Sequence, residues 1–436
     1  MSGWAGAPAR RGLSSSRARR RLGGDVLAGP PSARSVVMKP STTSSVLGRL
    51  LRSLCGPLAA TVLLLLLQGC ASAPPAPASL FRDGAFKPGT ENISAEAVFS
   101  VSPAMRQYLK KDIAGKLRVE GSREGLLDAL YTKGLLQLEY DATLTRNASE
   151  AFDSRSGNCL ALAIMTGAFA KELGLPIRFQ RVFVEDSWSR NGDLYFVSGH
   201  VNVSLGRQTK DMSNLVGMAD YTTIDFLPRS LAGRQRVQNV SEQTILAMFM
   251  NNRAAENLNQ GRIDQAYWWA RAALEQDPRF LASLVTLGVI YRRHGDPDAA
   301  EQVARYVLAQ EPANVHALSN LLRLVQAQGR QAEAQALAAR LAELQPIRPY
   351  HFFDLGVEAM KKADYQTART MFSKEIERDA YDHEFHFWLA LANYGLGDWS
   401  NASKQIAFAM EYSTTKRDRS IYAAKLDWLN ARRAGL

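Results

Sequence analysis

The rhythm of hydrophobic and polar positions changes three times along the 436-residue chain. Residues 54–67 form an almost unbroken apolar run. Between 102 and 174 apolar residues recur at helical spacing. Residues 102–113 open on Ser102 as a cap with Pro103 in the first turn, and Leu126, Leu127, Leu130 and Tyr131 mark a helix within 123–135. Leu160, Ala163, Ile164, Gly167, Ala168 and Ala170 predict a buried helix that ends at Gly174, just before Pro176. The period then falls to two. Ile177, Phe179, Val182 and Val184 predict one strand with a register slip, residues 194–197 a second, and 199–205 a third. In the third, His200, Asn202 and Ser204 share one face, and Val201, Val203 and Leu205 the other. Residues 221–228 read as a further strand. Helices followed by antiparallel strands predict an α+β region over 81–240.

From about residue 247 the pattern becomes a repeat. Pro278, Pro312 and Pro346 are spaced by one period, as are Ala266, Ala300, Ala334, Ala368 and Ala402, while Gly288 and Gly356 lie two periods apart. A period of about 34 residues with small residues at fixed places resembles the tetratricopeptide repeat. Small residues let two helices of a unit cross closely, and proline stops the second helix. Five units are expected over 247–280, 281–314, 315–348, 349–382 and 383–416, the first and fourth atypical, with an amphipathic capping helix in 417–436. The resemblance implies an all-α superhelix that holds a protein or peptide partner. His383 and His386 could share a helix face, but lack a third ligand, so neither a metal nor another cofactor is expected.

Charge narrows the partners. The net charge of +11 is misleading, because residues 1–69 hold ten Lys/Arg against the single acid Asp25. The remainder is close to neutral, so nucleic acid is not an expected partner.

The N-terminus reads as an address. From Met38, Lys39, Arg49 and Arg52 precede the apolar run, which is shorter than the roughly 20 residues of a membrane span. Leu67-Gln68-Gly69-Cys70 resembles a bacterial lipobox. That resemblance implies acylation of Cys70, with 1–69 as upstream region and signal peptide and 70–80 as a lipid-anchored linker. Residues 1–37 could lie ahead of the true start at Met38, and an ordinary cleaved signal with Cys70 incidental is the simpler alternative. The implied location is the bacterial envelope; Ala71, where an aspartate would favour the inner membrane, points to the outer membrane facing the periplasm.

Cys55 lies in the apolar run and Cys70 in the lipobox, so Cys159 is the one thiol left for the folded region, and no internal disulfide can form. His200 is the one histidine before residue 290. Cys159 falls where a loop containing Gly157 enters a helix. Unpaired N–H groups and the positive end of the helix dipole there favour thiolate and can hold an oxyanion. A strand carries His200, and the next strand carries Asp225. This is a workable nucleophile, base and orienting acid. Asp211 and Asp220 are nearby but in a loop, and Asn158 and Asn202 read as structural neighbours.

Arg155-Ser-Gly-Asn-Cys159-Leu160, Glu172-Leu-Gly-Leu-Pro176, His200-Val-Asn-Val and Ile224-Asp225-Phe together resemble a transglutaminase-like domain of the papain-related cysteine-protease superfamily. The resemblance implies that Cys159 attacks a carbonyl, His200 acts as base and Asp225 orients it, with peptide or amide hydrolysis favoured over cross-linking. No glutamine or tryptophan that would assist the oxyanion is identifiable. The alternative is a non-catalytic lipoprotein scaffold for protein–protein assembly.

Overall fold

Ser102 accepts a hydrogen bond from the Met105 N–H and Pro103 occupies the first turn, so a helix starts where the sequence places it. The computed structural model describes residues 76–131, 136, 138–142, 144–191, 194–207, 220–226 and 236–433. The expected signal peptide, Cys55, the lipobox with Cys70 and Asp211 lie outside the described residues.

The mixed region begins with helices α1 (Ala95–Val98), α2 (Pro103–Gln107, running on into a π turn at Tyr108–Asp112), α3 (Ala114–Val119) and α4 (Ser122–Tyr131). Then come β1 (Glu139–Tyr140), α5 (Ala148–Ser154), β2 (Ser156–Gly157) and α6 (Cys159–Glu172). Strands β3 (Ile177–Asn191), β4 (Leu194–Gly206), β5 (Tyr221–Ile224) and β6 (Arg236–Val240) follow. They form one antiparallel sheet in the order β5-β4-β3-β6, while β1 and β2 make a separate short parallel pair. Two expected strands, 194–197 and 199–205, are one strand, β4. The slip expected in β3 is an irregularity in its pairing with β4 between Val182 and Ser187. Asp225 lies one residue beyond β5 rather than within it.

α6 is the core element. Every residue from Cys159 to Ala170 is buried, and the helix packs on β4 and β3 with α5 beside it. Val201, Val203 and Leu205 face this core. The approach is close: a Cβ added at Gly167 would meet the Phe179 ring at 2.7 Å.

Five helix pairs follow: α7 (Glu242–Asn259) with α8 (Ile263–Gln276), α9 (Leu281–His294) with α10 (Pro297–Gln310), α11 (Val315–Ala327) with α12 (Gln331–Leu344), α13 (His351–Lys361) with α14 (Tyr365–Arg378), and α15 (His383–Gly395) with α16 (Trp399–Tyr412). α17 (Lys416–Arg433) caps the array. Ala266, Ala300, Ala334, Ala368 and Ala402 are all buried, as close helix crossing demands. Gly261, Gly295, Gly329 and Gly397 turn their pairs at positive φ; in the fourth pair Ala363 holds that place at φ 56°. The first pair starts at Glu242, capped by Ser241, five residues before the expected 247.

One hydrophobic cluster runs from the mixed region through the first helix pairs to Leu324, whereas the fourth and fifth pairs have clusters of their own. Between the third and fourth pairs lies a cavity of about 310 Å³ lined by Leu322, Leu341, Pro346, Ile347, Arg348 and His351, among others. Residues 78–91 strap the mixed region to the early repeats. Phe86 stacks on Tyr267 with ring centres 3.9 Å apart, the Tyr267 hydroxyl donates to Asp83 at 2.5 Å, and the Tyr291 hydroxyl donates to the Leu80 carbonyl at 2.7 Å.

Candidate active site

Asn158 caps α6: its side-chain oxygen accepts the Ala161 N–H at 2.9 Å. Its amide donates to the Thr145 hydroxyl at 2.9 Å, and Asn252 of α7 donates to the same oxygen at 3.2 Å. Thr145 is held in turn by its N–H donating to Glu256 of α7 at 2.7 Å. The first residue of α6, Cys159, is thus fixed from both sides of the α6 N-terminus. Gly157 lets the chain come close at this point, since a Cβ there would meet the Ala161 Cβ at 2.8 Å.

β4 brings His200 to the same place. Cys159 and His200 are both buried, and the Cys159 side chain is among the groups that interact with the imidazole. The Cys159 Sγ also lies 3.9 Å from the Gly199 carbonyl oxygen. His200 Nε2 is 2.8 Å from Asp225 Oδ1. The sequence-predicted Cys159, His200 and Asp225 are therefore brought together in the order thiol, imidazole, carboxylate. Asp220 is turned elsewhere: its carbonyl and carboxylate both accept from the buried Arg123, at 2.7 and 3.1 Å. That pairing fixes the chain entering β5, and with it the position of Asp225 at the strand's far end.

The electrostatics follow from this geometry. Burial works against a charged His200, but the hydrogen bond to Asp225 and the interactions with Cys159 and the Asp225 carboxylate outweigh it and push the imidazole up to about 9. His200 is then protonated at neutral pH, beside the sulfur at the helix N-terminus.

A fourth side chain, which sequence reasoning missed, belongs to this group. In the β1–β2 pair Tyr140 sits opposite Gly157, and the Asp141 N–H donates to the Gly157 carbonyl at 3.0 Å. That register sets Tyr140 beside the turn that leads into Cys159, and the sulfur is one of the groups that act on its hydroxyl. Burial first, then the neighbouring sulfur, drives the phenol's ionisation upward, so it stays protonated and able to donate. A two-residue strand carries no periodicity, and nothing in the sequence set this tyrosine apart from the others.

Elsewhere, His386 is consumed by packing: its ring nitrogens pair with Gln405 at 2.6 Å and the Ala380 carbonyl at 2.9 Å. His383 pairs with the Tyr422 hydroxyl at 2.9 Å. Among the described residues no group of three His, Cys, Asp or Glu side chains is placed to hold a metal ion.

The family model for the tetratricopeptide repeat matches residues 285–349 and 353–406. The helix pairs within 285–406 are tetratricopeptide repeats. The match does not extend to the mixed region. Solved structures similar to the chain include MamA (19% identity, 38% of this chain and 91% of that one, TM-score 0.22) and Pseudomonas aeruginosa pilF (19%, 44% and 88%, TM-score 0.26). A thermophilic TPR protein of Thermus thermophilus is similar too (18%, 41% and 98%, TM-score 0.26). No curated protein matches.

Proposed function

We propose that the chain is a cysteine-dependent acyl-transfer enzyme whose repeats recruit a protein substrate or partner. The observation that carries the proposal is the contact between Cys159 and His200, with Asp225 behind the imidazole. The tetratricopeptide repeats support a protein partner. The transglutaminase-like resemblance of residues 145–228 and the α+β topology around Cys159 support the same chemistry.

The reaction runs as follows. His200 takes the thiol proton as the reaction begins. The Cys159 sulfur attacks a substrate carbonyl carbon, and negative charge grows on the carbonyl oxygen near the N-terminus of α6. The C–N bond then breaks and His200 passes its proton to the departing amine, which leaves a thioester. His200 next takes a proton from water, the hydroxide oxygen displaces the sulfur, and the carboxylate leaves. An amine in place of water would give a cross-link. Asp225 keeps the ring oriented and favours its charged form throughout. Peptide or amide hydrolysis is the favoured outcome, at a bacterial envelope to which acylated Cys70 would tether the chain.

The second reading is a non-catalytic scaffold, favoured because the family match falls on the repeats alone. Intact-mass spectrometry after exposure to a small activated peptide ester separates the two. The enzyme reading expects an acyl adduct that is lost in Cys159→Ser and is discharged by water or hydroxylamine. Absence of any adduct on the native chain, under conditions where iodoacetamide labels Cys159, would leave the scaffold.

A further inference from the structure

The last repeat reaches back to the strand that carries Tyr140. The Ala142 N–H donates to the Thr414 carbonyl at 3.0 Å, and Lys416 Nζ lies 2.7 Å from a carboxylate oxygen of Glu139. Two contacts from one turn thus bracket Tyr140, one residue before it and two after. That turn, between α16 and α17, is itself firmly built. Ser413 is buried and its hydroxyl donates to the Thr415 carbonyl at 3.2 Å. The Thr415 hydroxyl accepts the Asp418 N–H at 3.0 Å and donates to the Asp418 carboxylate at 2.7 Å, which caps α17. At the opposite end of the array, α7 holds Thr145 and through it the Asn158 cap. Both ends of the repeats therefore bear on the few residues that set Cys159.

We propose that Tyr140 is a positioning residue for the Cys159 thiol and that the α16–α17 turn holds it there, making the terminal repeat a working part of the active site. A protein engaged on the repeats then acts on the thiol through this turn: a change in the curvature of the array moves Thr414 and Lys416, and β1 with them. The cavity between the third and fourth helix pairs is where the stack is least continuous, and it separates the two anchoring ends. The proposal rests on the acyl-transfer reading for its biological purpose, but the coupling it describes is a property of the thiol alone.

The test uses the full chain and reads two things: the iodoacetamide alkylation rate of Cys159 at pH 6 and hydrogen exchange at the Ala142 amide. Tyr140→Phe keeps the ring and removes the hydroxyl; loss of a donor beside the sulfur should slow alkylation by roughly tenfold. Lys416→Glu places two carboxylates together. For an exposed pair it should slow alkylation roughly two- to fivefold and speed exchange at Ala142. The charge swap Glu139→Lys with Lys416→Glu should restore both, which a general loss of stability would not. Ala142→Pro, which deletes the donated hydrogen bond, supplies a second disconnection should the ion pair alone leave Ala142 protected. Unchanged alkylation in both Lys416→Glu and Ala142→Pro would overturn the coupling, and an unchanged rate in Tyr140→Phe would overturn the role of the phenol. Failure of the acyl-transfer reading looks different: alkylation in the native chain would then be indifferent to His200→Ala, whatever Lys416→Glu does.

Discussion

His200 Nε2 meets Asp225 Oδ1 at 2.8 Å, across a step from one strand to the end of its neighbour. The two residues are held by different parts of the fold. His200 is fixed by the β3–β4 pairing opposite Val182, and Asp225 by the short strand β5 whose entry Arg123 pins at Asp220. If Asp225 orients and charges the ring, Asp225→Asn should leave the fold intact and slow Cys159 alkylation at neutral pH by about tenfold or more, the scale of a lost charge-assisted hydrogen bond. Arg123→Ala should produce a smaller loss of the same kind, because it loosens Asp225 from a distance.

The raised His200 ionisation predicts a pH dependence of stability. The folded chain holds the proton up to about pH 9, whereas an unfolded histidine releases it near the ordinary value of 6.5. The imidazolium's stabilisation is therefore complete below about pH 6.5 and is lost as pH rises through 9. A shift of this size corresponds to about 3 kcal/mol. Urea midpoints measured across this window should fall for the native chain and stay flatter for His200→Gln.

Gly157 should not accept a side chain. Alanine there would press on Ala161 at 2.8 Å, within the first turn of α6. Overpacking of this kind costs about 1–3 kcal/mol. It should also displace the capped turn that carries Cys159. Gly157→Ala is expected to lower the melting temperature and to slow thiol alkylation together.

The neighbourhood of Cys159, His200 and Asp225, the proposed nucleophile, base and orienting acid, was legible because each residue is scarce or sits at a change of rhythm. Cys159 stands at a loop-to-helix junction, and His200 lies on the polar side of an alternating strand. The repeats were legible through Ala266 and its successors, which have to be small wherever two helices cross. Tyr140 was not legible, because its role comes from a two-residue parallel pairing with Gly157, and such a pair leaves no pattern. The exposed edge strand Arg236–Val240 alternates too little to be recognised. The strap at 78–91 is equally silent in sequence: it is held by Tyr267 and Tyr291, 184 and 211 residues from their partners.

The fourth repeat offers a prediction of the opposite sign. Ala363 occupies at φ 56° the place that Gly261, Gly295, Gly329 and Gly397 occupy in the other pairs. A residue with a Cβ in this conformation costs about 1–2 kcal/mol. Ala363→Gly should therefore stabilise the chain by about 1 kcal/mol, less the glycine's greater entropy when unfolded. Thermal denaturation of the two proteins side by side would show it as a rise in the midpoint.

The proposed chemistry depends most on the Cys159–His200 contact, and the rate of iodoacetamide alkylation at Cys159 at pH 6, compared between the native chain and His200→Ala, tests it most directly. A thiol paired with imidazolium should react well above the rate of a free cysteine and fall to that rate or below once the ring is removed. Equal rates in the two proteins would contradict the pairing and leave the repeats, rather than the thiol, as the working part of the molecule.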